Sequence, residues 1–197
     1  MVGAGDRAEN AECPIAGLRW RLMLAREAKA EDAEAIARIY NEGIEDRVAT
    51  FENRLRSADD VRAWFDGMHP CVVVEEDGVV IAFGATSGYR PRECYAGIAE
   101  ASLYVARRAR GKGAGRSAME ALIAAAAAAG FWKLLSRIFV ENQASRRLCR
   151  STGFREVGVY EKHARLDGEW RNVVIVERLI PANLDKATAR PLRHNGS

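Results

Sequence analysis

Residues 104–131 read YVARRARGKGAGRSAMEALIAAAAAAGF, and they decide the fold because they join the end of a strand, a glycine-rich turn and the start of a helix. Five basic residues and three glycines fill the turn and its edges. Such a turn leaves backbone N–H groups unpaired at the positive end of the helix dipole. Glycines here reach backbone angles closed to other residues and let an anion approach the main chain. The stretch therefore predicts a phosphate-binding site, with basic side chains neutralising further phosphates.

A glycine-rich turn is a weak signal by itself, because glycines in a basic surface turn can serve geometry alone. The P-loop pattern GxxxxGK[ST] is absent from the sequence. A Rossmann turn belongs after the first strand of its unit, whereas this turn follows the fourth predicted strand. The turn alone therefore leaves both a phosphate site and a plain surface turn open.

Hydrophobic periodicity on both sides of the turn predicts seven strands and four helices. The strands are predicted at 21–28, in a hairpin across 70–89, at 97–106, at 131–140 and in a hairpin across 155–179. The helices are predicted at 29–46, 57–68, 116–129 and 142–153. The second helix opens with Ser57 and Asp60 in a capping-box pattern. The predicted class is α/β, with a mixed central sheet of about seven strands flanked by about four helices.

The length of 197 residues and the 48% hydrophobic share fit one domain with a sizeable core. We assign this domain to residues 18–185. Residues 1–17 and 186–197 are small, polar and charged, which predicts flexible extensions at both ends. No segment reaches ~18 consecutive apolar residues and no signal-peptide core is visible, so we expect a soluble cytoplasmic protein without a membrane partner.

The charge balance and the cysteines exclude further classes. Thirty basic residues stand against 27 acidic ones, and no aromatic residues interleave the basic cluster, so no nucleic-acid partner is predicted. The four cysteines show neither a CxxC pair nor a metal-ligand spacing with the three histidines. We therefore predict no metal and no disulfide framework.

Two motifs together are more specific than the turn alone. Arg110, Gly113 and Gly115 form an R-x-x-G-x-G pattern, and residues 141–154, ENQASRRLCRSTGF, follow one helix and one strand later. The pair resembles the acetyl-CoA site of the GNAT superfamily of N-acetyltransferases, whose element order is also the one predicted here. The residues that carry the second motif are Asn142, Ser145, Leu148, Gly153 and Phe154.

The resemblance runs from about Arg21 to Ile180 and implies acetyl-CoA as co-substrate. It implies a bulge in the predicted strand 97–106 that frees main-chain groups for the pantetheine arm and the thioester carbonyl. The residues it assigns to the co-substrate are Leu103, Tyr104, Val105, Arg110, Gly111, Lys112, Gly113, Ala114, Gly115, Arg116, Asn142 and Ser145. Asn142 and Ser145 are compatible with a plain helix N-cap as well.

Within the superfamily, three segments resemble the phosphinothricin N-acetyltransferase group and its arsinothricin-resistance relatives. They are IYNEGIEDRVATFE (39–52), YRPRECY (89–95) and AEASLYVARRARGKGAG (99–115). The resemblance implies acetyl transfer to the α-amine of a small amino-acid-like substrate, and it implies a homodimer.

Glu100 matches the glutamate that this group is proposed to use as general base. An α-amine has a pKa of roughly 8 or higher and arrives as an ammonium, so a base must remove a proton before the amine can attack. A strand at the sheet centre would partly desolvate Glu100 and favour proton acceptance. Without the resemblance, a solvent-facing strand glutamate is the simpler interpretation.

The resemblance assigns the acceptor substrate to two segments. Arg90, Arg92 and Tyr95 match an arginine-bearing loop beside the pocket, where guanidinium groups suit a carboxylate plus a phosphinate or arsinate. Solvated loop arginines are the alternative. Thr50 and Phe51 match a pocket wall between the first two helices.

Departures from the family pattern leave part of the chemistry open. Cys149 stands where many members carry a tyrosine that protonates the leaving thiolate, and either a thiol acid or a small apolar role fits. The acid is therefore unassigned. Trp170 and Asn172 stand where relatives often have tryptophan and aspartate, so the predicted specificity lacks one carboxylate.

Three other functions compete with amino-acid acetylation. Protein N-terminal or polyamine acetylation would favour an open acidic groove over an arginine-bearing loop. A non-catalytic acyl-CoA-sensing module would have no need of Glu100. A nucleic-acid-binding module would place aromatic residues among the basic ones.

Overall fold

The computed structural model describes residues 23–188, with side chains described as far as Leu184. The predicted extension at 1–17 and most of the predicted tail at 186–197 lie outside these residues. Seven strands are β1 Met23–Glu27, β2 Cys71–Glu76, β3 Val79–Gly88, β4 Ile98–Val105, β5 Lys133–Phe139, β6 Arg155–Leu166 and β7 Glu169–Leu179. Five helices in the described chain are α1 Ala33–Glu45, α2 Ala58–Arg62, α3 Ala114–Ala128, α4 Gln143–Ser151 and α5 Pro181–Thr188.

The predicted α/β class and the mixed seven-stranded sheet are confirmed. The strand order is β1-β2-β3-β4-β5-β7-β6, and every neighbouring pair is antiparallel except β4 and β5. Both predicted hairpin turns form with positive φ angles, 52° and 76° at Asp77 and Gly78 and 53° and 85° at Asp167 and Gly168. These angles match the twist that two-residue hairpins require.

The parallel strands β4 and β5 pair over three residues only and then part. Ile98–Glu100 face Lys133–Leu135, while β5 stays paired with β7 along its whole length. The predicted bulge is wrong, because β4 keeps an unshifted register with β3 from Ala99 to Val105. The opening arises because β5 remains paired with β7 and diverges from β4, whose own backbone is regular.

The two faces of the sheet have separate cores. On one face, α1 and α2 bury Ile36, Ile39 and Val61 against Phe83 of β3. On the other face, α3 lies close to the sheet, since a Cβ added to Gly84 of β3 would be 3.2 Å from Cδ2 of Leu122. The alanine-rich run thus forms a helix, as predicted, and this helix packs closely on the sheet.

Two helices differ from the predictions. The capping box of α2 forms, with Asp60 N donating to Ser57 Oγ at 3.1 Å, but the helix ends at Arg62 rather than near 68. The chain leaves the helix there so that Trp64 can pack edge-on against Tyr40, with ring centroids 5.6 Å apart. The helix α5 was not predicted, and its residues 186–188 fall within the predicted tail.

The helix α5 is held by tertiary contacts rather than by its own pattern. The Asn183 side chain, 4% exposed, donates to Ala127 O and Phe131 O at 2.7 and 2.9 Å. Within residues 23–188, no helix is both long and apolar enough to cross a membrane.

Candidate active site

The start of α3 presents unpaired backbone amides, as the sequence predicts. The first bond of the helix is donated by Ser117 N to Gly113 O at 3.1 Å, and within the described chain no hydrogen bond uses the amides from Gly111 to Arg116. Gly111 and Gly113 have φ angles of 73° and 93°, and no atom lies within 4 Å of a Cβ added to either. The amides are therefore open to an anion at the positive end of the helix dipole.

Two of the basic residues near this turn form ion pairs with Asp46 at the C-terminal end of α1. Arg107 Nε donates to Asp46 at 2.9 Å, and Arg110 forms an ion pair with Asp46 at 2.6 Å. Burial raises the pKa of Asp46, but the hydrogen bonds from the two guanidinium groups outweigh it, so the pKa lies below its ordinary value. These arginines therefore fix the turn against α1.

Of the remaining basic residues near the turn, one is paired with an acidic side chain and two are not. Arg116 pairs with Glu120 one turn along α3, at 2.8 Å. Arg108 and Lys112 are exposed and have no acidic partner among the described residues. Of the basic side chains around the turn, these two are the ones left to meet additional phosphates.

Ala114 and Gly115 pack beneath the turn. Ala114 is fully buried. A Cβ added to Gly115 would lie 3.3 Å from Leu148 of α4 and 3.3 Å from Val105 of β4. Gly115 is thus required for close packing, whereas Gly113 is required for its backbone angle.

The opening between β4 and β5 exposes main-chain groups of β4. Ala106 N donates to Ile81 O at 2.8 Å, so even-numbered residues of β4 bond to β3 and odd-numbered residues face β5. Since pairing with β5 ends at Glu100, the N–H and C=O of Leu103 point into the opening. The Val105 carbonyl accepts a bond from Arg110 Nε at 3.1 Å.

The far side of the opening is formed by α4. A narrow cavity of about 70 Å³ is lined here by Leu103, Ser136, Asn142, Ser145 and Cys149, among others. Asn142 caps α4, because its Oδ1 accepts from Ser145 N at 3.1 Å while its Nδ2 donates to Val48 O at 3.1 Å. The N-cap role is confirmed, and contact of Asn142 and Ser145 with pantetheine stays a prediction.

On the face of the sheet covered by α1 and α2, Glu100, Ser102 and Tyr104 alternate along β4 and line one cavity of about 280 Å³. We call this cavity the acceptor cleft. Its other walls are Tyr40, Ala49, Thr50, Phe51, Glu52, Ala101, Ser136, Arg137, Phe139 and His163. The predicted Thr50, Phe51 and Glu100 are thus brought together.

Glu100 is not a free carboxylate. Its side chain is 25% exposed and forms an ion pair with Arg137 of β5, whose side chain is 48% exposed. Arg137 was missed from the sequence. The strand register explains why the two side chains meet. Leu135 of β5 pairs with Glu100 of β4, and Arg137 lies two residues further along β5, so its side chain points to the same face of the sheet as Glu100.

The aromatic wall of the cleft is tightly packed. Burial raises the pKa of Tyr104, and its ring packs edge-on against that of Tyr40, with ring centroids 4.7 Å apart. A Cβ at Gly43 of α1 would lie 2.6 Å from the Tyr104 ring, so this glycine makes room for the tyrosine. Phe51 packs edge-on against Phe139 at 4.8 Å.

A second cavity of about 430 Å³ adjoins the acceptor cleft. The two share Tyr40, Glu52, Ser102 and Tyr104, and the second one extends to Arg56, Trp64 and Ser87. The polar side chains of Glu100, Ser102 and Tyr104 along β4 therefore have cavities on both sides, with room for a small substrate and its side chain.

The predicted arginine-bearing loop lies apart from both cavities. Arg90, Arg92 and Tyr95 belong to the β3–β4 connection, and none of them lines either cavity. The guanidinium of Arg90 lies 5.1 Å from the ring centroid of Tyr89 and 6.0 Å from that of Tyr95. A role of this loop in substrate binding stays a prediction.

Cys149 lies at the bottom of the opening and is 4% exposed. Burial raises the pKa of its thiol to about 11, so the thiol is protonated and unreactive at neutral pH. Among residues 23–188, no group of three or more histidine, cysteine, aspartate or glutamate side chains is arranged to hold a metal ion.

Comparisons with known proteins identify the family to which the chain belongs. The profile of the Acetyltransferase (GNAT) family matches residues 31–154. The chain is 30% identical over 162 residues to the phosphinothricin N-acetyltransferase of Alcaligenes faecalis, covering 80% of this chain and 82% of that protein. It is 29% identical over 171 residues to the L-methionine sulfoximine/L-methionine sulfone acetyltransferase of Pseudomonas paraeruginosa, covering 84% and 97%.

A solved structure shares the fold as well. The GNAT superfamily phosphinothricin acetyltransferase from Sinorhizobium meliloti, in complex with AcCoA, superposes with a TM-score of 0.75 at 29% identity, covering 80% of this chain and 88% of that one. The chain belongs to the GNAT family of acetyltransferases, and the resemblance found in its motifs is confirmed. It is an N-acetyltransferase, and members of its family use acetyl-CoA.

Proposed function

We propose that the protein transfers an acetyl group from acetyl-CoA to the α-amine of a small amino acid or analogue of the phosphinothricin, arsinothricin or methionine sulfoximine type. The observation that carries the proposal is the position of Glu100, in the acceptor cleft at the point where β4 and β5 part. The names of the relatives support the substrate class.

The described residues fit acetyl-CoA. The open amides from Gly111 to Arg116 suit a diphosphate, with Lys112 and Arg108 beside them to balance further charge. The opening between β4 and β5 suits the pantetheine arm, because the main-chain groups of Leu103 point into it.

Acetyl-CoA supplies the acetyl group as a thioester, whose C–S bond breaks as the amine nitrogen bonds to the acetyl carbon. Glu100 takes the proton that the ammonium must lose. The Leu103 N–H can donate to the carbonyl oxygen of the thioester, where negative charge develops. Cys149 holds its proton with a pKa of about 11 and gives it up poorly, so we assign no acid for the departing thiolate.

A thiol-release assay tests the proposal. Acetyl-CoA is incubated with the protein and with phosphinothricin, arsinothricin, methionine sulfoximine or spermidine in turn. We expect free CoA thiol and N-acetylated product with at least one of the three amino-acid analogues and little with spermidine. Release with spermidine alone would favour a polyamine acetyltransferase, and release with none of the four would contradict the proposal.

A further inference from the structure

The ion pair between Glu100 and Arg137 raises a difficulty for the proposed base. One terminal nitrogen of Arg137 donates to Oε2 of Glu100, so the guanidinium already occupies an oxygen that the base needs for the ammonium of the substrate. This oxygen becomes free for the substrate only when another group takes Arg137 away from Glu100. No other residue of the described chain forms an ion pair with Glu100.

Arg137 has unused binding capacity. One of its terminal nitrogens contacts Glu100, and no second hydrogen-bond partner is present among the described residues. A guanidinium carries five N–H donors in a fork that matches a carboxylate. Its side chain is about half exposed and faces both the acceptor cleft and the narrow cavity beside α4.

The other ionisable groups of the cleft do not compete for this site in the structure. Glu52 and His163 line the same cavity, as do Tyr40 and Tyr104. Glu52 pairs with Arg56 at 2.6 Å. Arg137 is thus the cation of the acceptor cleft that lies next to the proposed base.

We infer that Arg137 binds the α-carboxylate of the acceptor, and that this contact draws the guanidinium away from Glu100 and so activates the base. The inference rests on the proposed function and names the group by which its substrate is recognised. In an α-amino acid the amine and the carboxylate share one carbon, so a carboxylate on Arg137 places the ammonium beside Glu100. An ion pair as exposed as this one contributes little stability, so a second carboxylate can compete for the guanidinium.

The exchange leaves charges and atoms balanced. The substrate carboxylate replaces Glu100 at Arg137, and Glu100 accepts one proton from the ammonium. The amine then forms the bond to the acetyl carbon as the C–S bond breaks, and the electron pair leaves with the thiolate. The nitrogen loses its second proton to solvent, and the thiolate takes up a proton from solvent to give free CoA thiol. An amine without the carboxylate leaves the Glu100–Arg137 pair intact and is a poor substrate.

The test compares methionine sulfone with 3-(methylsulfonyl)propan-1-amine, which is the same molecule without its carboxylate. The kcat/KM ratio of the two is measured by thiol release for the wild type, Arg137→Gln, Arg137→Lys and the control Arg155→Gln. Arg155 is an exposed arginine of β6 that pairs with Glu177 away from the cleft. Differences in amine basicity cancel because the same two compounds are compared in every variant.

We expect the wild type and Arg155→Gln to prefer the amino acid strongly. In Arg137→Gln the preference should fall by about 10- to 100-fold, the worth of a hydrogen bond to a charged group. Activity on the amino acid should fall because its carboxylate loses its partner, and activity on the amine should rise because Glu100 is no longer paired. Arg137→Lys should restore part of the preference. An unchanged ratio in a folded Arg137→Gln variant, or a wild type that accepts both compounds equally, overturns the inference and leaves the proposed function standing. Wild type that acetylates neither compound, nor any analogue of the substrate panel, contradicts both.

Discussion

Glu100 is the residue on which the proposed chemistry depends most. It lines the acceptor cleft, and it is the last residue of β4 that pairs with β5. The sequence could indicate this glutamate only through its place in a family pattern, because "AEAS" on a strand is equally typical of a surface position. Its partner Arg137 depends on which strands pair, and no local pattern predicts that.

Replacement of Glu100 by Gln should leave the fold intact and remove the proton acceptor. We expect kcat to fall by about 10²- to 10⁴-fold, the usual contribution of a general base, with a thermal midpoint close to that of the wild type. The control is Glu161→Gln, an exposed glutamate of β6. Activity of Glu100→Gln within twofold of the wild type would end its candidacy.

At the scale of the elements, the junction of β4 and α3 is the proposed co-substrate site. Hydrophobic periodicity and the glycines of the turn predict this junction, because both are local signals that span only a few residues. The opening between β4 and β5 was predicted from a bulge, whereas it results from the pairing of β5 with β7, which is a long-range property. The early end of α2 has a similar cause, since Trp64 packs against Tyr40 of another helix.

The two ends of α3 offer a matched test of that junction. Gly113 and Gly130 both have positive φ angles, 93° and 88°, and open space around an added Cβ. Alanine at either position should cost about 1–2 kcal/mol of stability, because both force a left-handed backbone. Only Gly113→Ala should also weaken acetyl-CoA binding, by about 10- to 100-fold, since it disturbs amides that bind a charged group.

Isothermal titration of acetyl-CoA into the two variants measures this difference, with thermal unfolding as the check on stability. Equal affinities for Gly113→Ala and Gly130→Ala would show that the turn does not bind the diphosphate.

For the whole molecule, carboxylates paired with basic residues of the sheet set the response to acid. Hydrogen bonds from Arg26 lower the pKa of Asp32, and hydrogen bonding to Lys133 lowers that of Glu177. Both groups therefore bind protons more readily in the unfolded chain, whose carboxyl pKa values lie near about 4. Their stabilisation is present above that pH and is lost as the pH falls through the folded-state values.

Urea unfolding should show this dependence. We expect the midpoint to fall from pH 5 to pH 3, and the difference between wild type and Asp32→Asn to shrink over the same range. A difference that stays constant with pH would mean that the Asp32 carboxylate does not contribute through its charge.

The outer strand β6 bears on the assembly of the molecule. It forms one edge of the sheet, and Val157, Val159 and Tyr160 are 51%, 52% and 54% exposed. Long apolar edge strands are usually covered. We propose that a second copy covers β6, which agrees with the homodimer that the family resemblance implies.

Sedimentation of the wild type at micromolar concentration should therefore give a dimer, and Val159→Lys should give a folded monomer. The exposed Lys162→Ala is a control on the same strand. A monomeric wild type, or a Val159→Lys variant that remains dimeric, would exclude this interface.

The central claim is that the free amides at the start of α3 hold the diphosphate of acetyl-CoA and so direct the thioester through the β4–β5 opening toward Glu100. A crystal structure of the protein with coenzyme A measures this directly. We expect diphosphate oxygens within hydrogen-bond distance of amides between Gly111 and Arg116, and the pantetheine arm beside Leu103. A diphosphate bound elsewhere, with those amides capped by the protein's own groups, would contradict it.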